Sequence, residues 1–216
     1  MLLVVVARRD GGSIRVMGKR VAVLVSGGGT NLQALLDDPA LRPSIALVIS
    51  DRPGVRSLDR ASDAGVPSLV IEPDGDRASL SRRVAEALAA ADIDVVVSAG
   101  YLRVLDDQVV ATYRDRWLNV HPALLPAFRG MHGVRDALAH GAKVTGVTVH
   151  LVDDGVDTGP IVLQEAVAIR DDDVWDSLEP RIHDVEHRLL PRALRALLDG
   201  RLVREGRRVT IAAEDV

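Results

Sequence analysis

The sequence predicts an α/β fold, with a Rossmann-like parallel sheet in the N-terminal half continuing into a mixed sheet with antiparallel strands. Three observations predict it. From residue 20 to about residue 120, short apolar runs alternate with helical patterns, as they do when a parallel sheet is covered on both faces. From residue 144 the pattern changes to two longer alternating runs, the mark of an antiparallel pair. The 216 residues are 47% hydrophobic and contain no cysteine, so one sizeable core is available and disulfides are excluded.

The elements follow in order. "RVAVLVS" (20–26) is a short buried strand, "GGGT" a tight turn, and "NLQALLDD" a helix. "IALVIS" is the second strand, "RSLDRASDAG" a helix, and "SLVIEP" the third strand. "RASLSRRVAEALAAAD" is the clearest amphipathic helix, because its apolar residues recur at helical spacing. "DVVVSAG" is the fourth strand, followed by a short helical stretch near "DDQVVATYR" and a fifth strand, "WLNVH". A proline-rich loop leads to the helix "GVRDALAHG", then to "VTGVTVHLV" and "PIVLQEAVAI" as the antiparallel pair. A long helical segment from Asp173 to Gly200 is expected to kink before Pro180 and Pro191, and "RLVREGRRVTIA" reads as a terminal hairpin. Residues 1–18 read as a flexible lead-in, with Met17 as a second candidate start. Residues 19–216 read as a single domain whose two halves, 19–116 and 117–216, meet at a seam rather than a linker.

Composition narrows the function. The formal charge is −4, aromatics are 2% of the chain, and no dense basic run occurs. A nucleic-acid groove needs a positive footprint and stacking platforms, so small molecules are the expected partners. "MLLVVVA" is too short for a membrane span, and its basic residues follow the apolar run instead of preceding it as in a signal peptide. A cytoplasmic location is expected.

Three stretches carry chemistry. In "VLVSGGGTNLQALL", glycines between a strand and a helix let backbone amides approach a ligand, and the helix start adds free N–H groups and a positive dipole end. The alternative is a tight turn with no ligand. A dinucleotide fingerprint is incomplete, since Gly27, Gly29 and Asp51 fit but Leu32 occupies the third glycine position, and no P-loop lysine follows. A small phosphorylated substrate held by Gly29, Thr30 and Asn31 fits better. In "NVHPALLPAFRG", Asn119 and His121 lie two apart on a strand end and so project to one side. The residues alone leave His121 as either a buried structural histidine or a catalyst. In "VHLVDDGVDTGPI", Asp153, Asp154 and Asp157 read as a hydrogen-bonded turn, a divalent-ion site, or the source of a partner for His121. An Asn, a His and an Asp without a Ser or Cys nucleophile suggest acyl transfer directly to a substrate amine. "HDVEH" (183–187) matches an inverted zinc-protease signature, but no third ligand accompanies it, and no metal is expected. His140 ends a helix, and His132 lies in the proline loop.

Taken with "VVVSAGYLRVL" and "VEHRLLP", these stretches identify a resemblance. From about residue 20 to 215 the chain resembles the phosphoribosylglycinamide formyltransferase family. The resemblance implies a first half that binds the substrate phosphate through Gly29, Thr30 and Asn31, with Thr30 standing where a serine is often found. It implies 10-formyltetrahydrofolate as a cosubstrate, with the folate site lined by Arg77, Leu102, Arg103, Val104, Leu105 and Asn119 and by the loop Asp153, Asp154, Gly155, Val156 and Asp157. It implies Asn119, His121 and Asp157 as the catalytic set, with protonated His121 stabilising an oxyanion. It also implies contacts from His183 and Glu186 to the glycinamide substrate, a better role for "HDVEH" than zinc. His132 stands at the edge of the site. A monomer or a homodimer fits, without nucleic acid or membrane. Rival readings share the formyl-handling core. A formyltetrahydrofolate deformylase is expected to carry an extra N-terminal domain, a methionyl-tRNA formyltransferase is expected to carry a C-terminal one, and a silent nucleotide sensor would have lost catalysis.

Overall fold

The computed structural model describes residues 19–213. The expected lead-in at residues 1–18 lies outside the described residues. The strands are β1 (Val21–Val25), β2 (Ile45–Ser50), β3 (Ser68–Val70), β4 (Val95–Ser98), β5 (Trp117–His121), β6 (Val144–Leu151), β7 (Ile161–Ala168), β8 (Leu202–Glu205) and β9 (Arg208–Ile211). The helices are α1 (Thr30–Asp37), α2 (Arg56–Asp63), α3 (Arg77–Ala90), α4 (Asp107–Thr112), α5 (Gly133–Ala139) and α6 (Trp175–Leu198). Seven strands form one sheet in the order β3-β2-β1-β4-β5-β6-β7, and β8 and β9 form a separate hairpin. Pairings are parallel from β3 to β5 and antiparallel from β5 to β7, so the expected change of character falls at β5.

Strand alternation sends side chains to two cores. Val21, Val23 and Val25 of β1 pack with Leu32 and Leu35 of α1 and with Leu190 and Leu194 of α6. Ala22 and Leu24 of the same strand pack on the other face with Leu80, Val84 and Leu88 of α3 and Val109 of α4. Both faces of β1 are therefore apolar, which is why "VAVLV" shows no alternation in sequence.

The same arithmetic treats β5 and β6 differently. Leu118 and Val120 of β5, with Val147, Val149 and Leu151 of β6, belong to the first core. Their neighbours Asn119, His121, Thr148 and His150 share the opposite face. The segment after His121 folds back over this face. Thr148 Oγ1 accepts from the Leu125 amide at 3.1 Å and donates to the Ala123 carbonyl at 2.7 Å. Gln164 Nε2 donates to the Leu125 carbonyl at 2.8 Å and to Thr148 Oγ1 at 2.9 Å. The prolines restrict this loop, and Thr148 and Gln164 anchor it.

Two expectations differ in detail. The third strand ends at Val70, and Ile71 to Pro73 lie outside it. The long helix α6 runs unbroken through Pro180 and Pro191. A proline costs a helix one hydrogen bond and a steric clash, and buried residues along the whole length of α6, from Leu178 to Leu198, hold it in place. No helix among the described residues is long and apolar enough to cross a membrane.

Gly146 is where the folded-back loop meets the sheet. A β-carbon there would lie 2.2 Å from the Glu165 carbonyl oxygen and 2.6 Å from Leu124 Cδ2. Gly146→Ala should therefore destabilise the fold by about 1–3 kcal/mol through overpacking. Urea unfolding should show a lowered midpoint with an unchanged slope, and an unchanged midpoint would contradict the close packing.

Candidate active site

A cleft of about 600 Å³ opens where the C-terminal ends of β1, β4 and β5 meet, as expected for ligand sites in open α/β sheets. Its wall includes Gly29, Thr30 and Asn31 after β1, Leu102, Arg103, Val104 and Leu105 after β4, and Asn119 and His121 on β5. It also includes Asp153 to Asp157 after β6, and His183 and Glu186 on α6. Arg77 stands outside this wall. Its guanidinium donates to the Leu105 carbonyl at 2.8 Å and pairs with Asp106 at 2.7 Å, so it holds the segment that lines the cleft. Asp51 is buried and accepts from Arg103 Nε at 2.6 Å, which fixes Arg103 at the wall.

His121 is 4% exposed. Its Nε2 donates to the Phe128 carbonyl at 2.8 Å, because a carbonyl can only accept, and this leaves Nδ1 as the titrating nitrogen. Nδ1 faces Asp157 Oδ2 at 3.4 Å. Burial lowers the His121 pKa below its ordinary value, and the charge of Asp157 and the Phe128 carbonyl only partly oppose this. The resting imidazole is therefore driven toward neutrality.

Asp157 arrives from a loop that doubles back across the β5 face. Within that loop Asp153 Oδ1 accepts from the Gly155 amide at 3.2 Å and from Thr158 Oγ1 at 2.5 Å. Asp157 itself adopts φ +52°, in the left-handed region, which turns its carboxylate into the site. Its Oδ2 accepts from the Gly130 amide at 2.8 Å, and its Oδ1 accepts from Asn119 Nδ2 at 3.3 Å. Burial alone would raise its pKa. The interaction with His150, the Gly130 amide and the nearby imidazoles outweigh burial and hold it below the ordinary carboxylate range. Asp157 is an anion at neutral pH.

His150 completes the cluster, and the sequence reading missed it. It sits on β6 directly opposite Asn119 in the antiparallel register. Its Nδ1 donates to the Leu151 carbonyl at 3.0 Å, and its Nε2 accepts from Asn119 Nδ2 at 3.0 Å. Both amide hydrogens of Asn119 are thus engaged, one by His150 and one by Asp157. The longer contact, to Asp157, is the weaker of the two. The available signal was the alternation of "VTVHLV", which sends Thr148 and His150 to one face among apolar neighbours.

The glycine turn forms the other end of the cleft. Gly29 has φ +69°, and α1 begins at Thr30. The first helical bond runs from the Gln33 amide to the Gly29 carbonyl at 2.9 Å, so the amides of Thr30, Asn31 and Leu32 precede the helical ladder. The Asn31 side chain turns instead to α6, donating to Glu186 Oε2 at 2.9 Å. Glu186 is 4% exposed, and burial pushes its pKa up despite the Asn31 bond and the nearby His183. His183 and His187 stack at 5.9 Å between ring centroids. The "HDVEH" carboxylate is committed to Asn31, and no group of three or more candidate metal ligands occurs among the described residues. His140 caps the end of α5 and meets Phe128 edge-on, while His132 precedes that helix.

The Formyl transferase family matches residues 19–194, so this chain belongs to that family. A phosphoribosylglycinamide formyltransferase from Mycobacterium tuberculosis is 43% identical over 89% of this chain and 94% of its own length. The crystal structure of glycinamide ribonucleotide transformylase 1 from Symbiobacterium toebii has a TM-score of 0.86 and 45% identity, covering 92% of this chain and 95% of that one. Within the class, this chain belongs to the phosphoribosylglycinamide formyltransferase family. The trifunctional purine biosynthetic protein adenosine-3 from Drosophila melanogaster is 49% identical over 84% of this chain, which spans 14% of that protein's length.

The His121–Asp157 geometry has a measurable consequence. Asp157→Asn preserves shape and removes the charge that raises the His121 pKa, so that pKa should fall further. Less imidazolium then exists at neutral pH, and any activity that needs it should shift to lower pH. Histidine NMR titration alongside the pH–rate profile measures this, and an unchanged titration would break the pairing.

Proposed function

We propose that the protein transfers the formyl group of 10-formyltetrahydrofolate to the amine of 5-phosphoribosylglycinamide. The products are N-formylglycinamide ribonucleotide and tetrahydrofolate, a step of de novo purine (IMP) synthesis. One observation carries this reading. A single cleft joins the Asn119–His121–Asp157 cluster to the glycine turn, beside which Glu186 is hydrogen-bonded to Asn31. That arrangement suits a substrate with a phosphate at one end and an amine at the other. The first half, residues 19–116, supplies the phosphate turn, and the second half, residues 117–216, supplies the catalytic set. Leu102, Val104 and Val156 offer exposed apolar surface at the cleft for the flat ring of the folate.

The neutral amine attacks the formyl carbon. A carbon–nitrogen bond forms, and the carbonyl pair moves onto oxygen. Asn119 meets this oxyanion with the amide hydrogen now loosely held by Asp157. The new negative charge beside His121 raises the proton affinity of its imidazole, opposing the burial that keeps the resting ring neutral. Asp157, already ionised, orients water that relays the proton released by the new ammonium to the folate nitrogen. The bond to the folate nitrogen then breaks, and that nitrogen leaves neutral with the transferred proton. Glu186, with its raised pKa, accepts a hydrogen bond from the amine and keeps it oriented. The reading needs no metal and no nucleic acid, in keeping with the net charge of −4. It suits a cytoplasmic monomer or homodimer.

Incubation with the formyl donor, with and without glycinamide ribonucleotide, tests the reading. Folate release that requires the amine is expected. Release without it would make the protein a deformylase, and no release would make it a sensor. His121→Ala should lower turnover by roughly 10²–10⁴, with both substrates still binding, and near-normal turnover in a folded variant would return His121 to a structural role.

A further inference from the structure

The outer side of the glycine turn is covered by α2, and the contacts there form a pattern. The Gly27 carbonyl accepts from the Ser57 amide at 3.2 Å. The Gly28 carbonyl accepts from Arg60 Nε at 2.9 Å. The Gly29 carbonyl accepts from the Gln33 amide at 2.9 Å. Three consecutive carbonyls are thus each tied to a donor on α1 or α2. In a trans peptide the N–H points opposite the carbonyl of the same plane. Anchoring these carbonyls therefore turns the amides of Gly28, Gly29 and Thr30 the other way, toward the cleft these residues line.

Arg60 is the side-chain anchor of the middle plane, and it is itself held. Its Nη1 donates to Gln33 Oε1 at 2.7 Å, and Gln33 Nε2 donates onward to Asp37 at 2.7 Å. The contact with the turn is close. A β-carbon on Gly29 would lie 2.6 Å from Ser57 Cβ and 3.4 Å from Arg60 Cδ. The charge of Arg60 also reaches α6, where burial, His183 and Arg60 all lower the His187 pKa.

We propose that Arg60 is a positioning residue for the substrate phosphate, fixing the Gly28–Gly29 peptide so that its amide faces the phosphate and placing a permanent positive charge behind the turn. This rests on the reading of the turn as the phosphate site. A planar guanidinium bridging two acceptors holds a peptide plane in a way that an ammonium cannot. Charge and fork are therefore separable by substitution.

The experiment compares Arg60→Gln and Arg60→Lys with wild type in steady-state kinetics, using glycinamide ribonucleotide and the riboside lacking its phosphate. Arg60→Gln should raise KM for the ribonucleotide roughly tenfold, the scale of one charge-assisted hydrogen bond. Arg60→Lys should raise it less, because the charge remains. The turnover at saturation, KM for the formyl donor and all constants for the riboside should stay close to wild type in both variants. Unchanged KM for the ribonucleotide in both variants, with wild type still preferring the ribonucleotide, would overturn the role of Arg60 and leave the phosphate reading intact. Equal penalties on both substrates would also overturn it, since the residue would then act on the fold or the chemistry. Wild type that handles both substrates alike would overturn the phosphate reading itself, and this role with it. Circular dichroism and thermal midpoints establish that the variants fold, and Arg60→Lys keeps the test decisive if Arg60→Gln does not.

Discussion

The site depends on the antiparallel register between β5 and β6. It sets Asn119 opposite His150 and His121 opposite Thr148. Those four residues share the face that the first core does not use. A slip of one residue would send a whole strand's set to the other side, burying the polar groups among leucines and valines. The register is secured by what lies on the apolar face, where Leu118, Val120, Val147, Val149 and Leu151 interlock beneath α6. The chemistry on one side of the sheet is thus held in place by hydrophobic packing on the other. The loop after His121 adds a second restraint, since Thr148 of β6 and Gln164 of β7 tie it to the sheet.

Burial then separates the ionisable groups by role. Desolvation opposes charge on all of them, and the outcome turns on local partners. Asp157 has an imidazole and a backbone amide around it and stays ionised. His121 has a single carboxylate at 3.4 Å and tends to neutrality. Glu186 has one amide donor and a raised pKa. One cleft therefore holds a committed anion, a ring whose proton affinity rises when a neighbour becomes negative, and a carboxyl group of increased basicity. Pulling titratable groups apart in this way is how a protein assigns acid and base duties near neutral pH.

The sheet was legible in the sequence because apolar runs between helices have few other readings. The turn at Gly27–Gly29 and the strand end at His121 were legible for the same reason, since glycines and prolines dictate backbone shape. His150 was not, because a histidine inside a strand acquires meaning only from its partner across the ladder, and register is not written locally. Nor was the engagement of both Asn119 hydrogens, which depends on a loop that starts at the far end of β6 and returns. Arg77 matched by position, yet its guanidinium holds Leu105 from behind the wall. The unbroken course of α6 through two prolines reflects tertiary packing overriding local propensity.

The left-handed backbone of Asp157 narrows what evolution can write at that position. Side chains with a β-carbon seldom adopt such a conformation, and glycine, asparagine and aspartate do so most readily. Glycine has no carboxylate, and asparagine has the shape without the charge. Glutamate carries the charge on a longer arm and lacks the short side chain that eases the turn. Backbone and chemistry, each permissive alone, intersect at one letter of the amino-acid alphabet. The position is consequently constrained for two unrelated reasons at once, and relaxing either demand leaves the other in force.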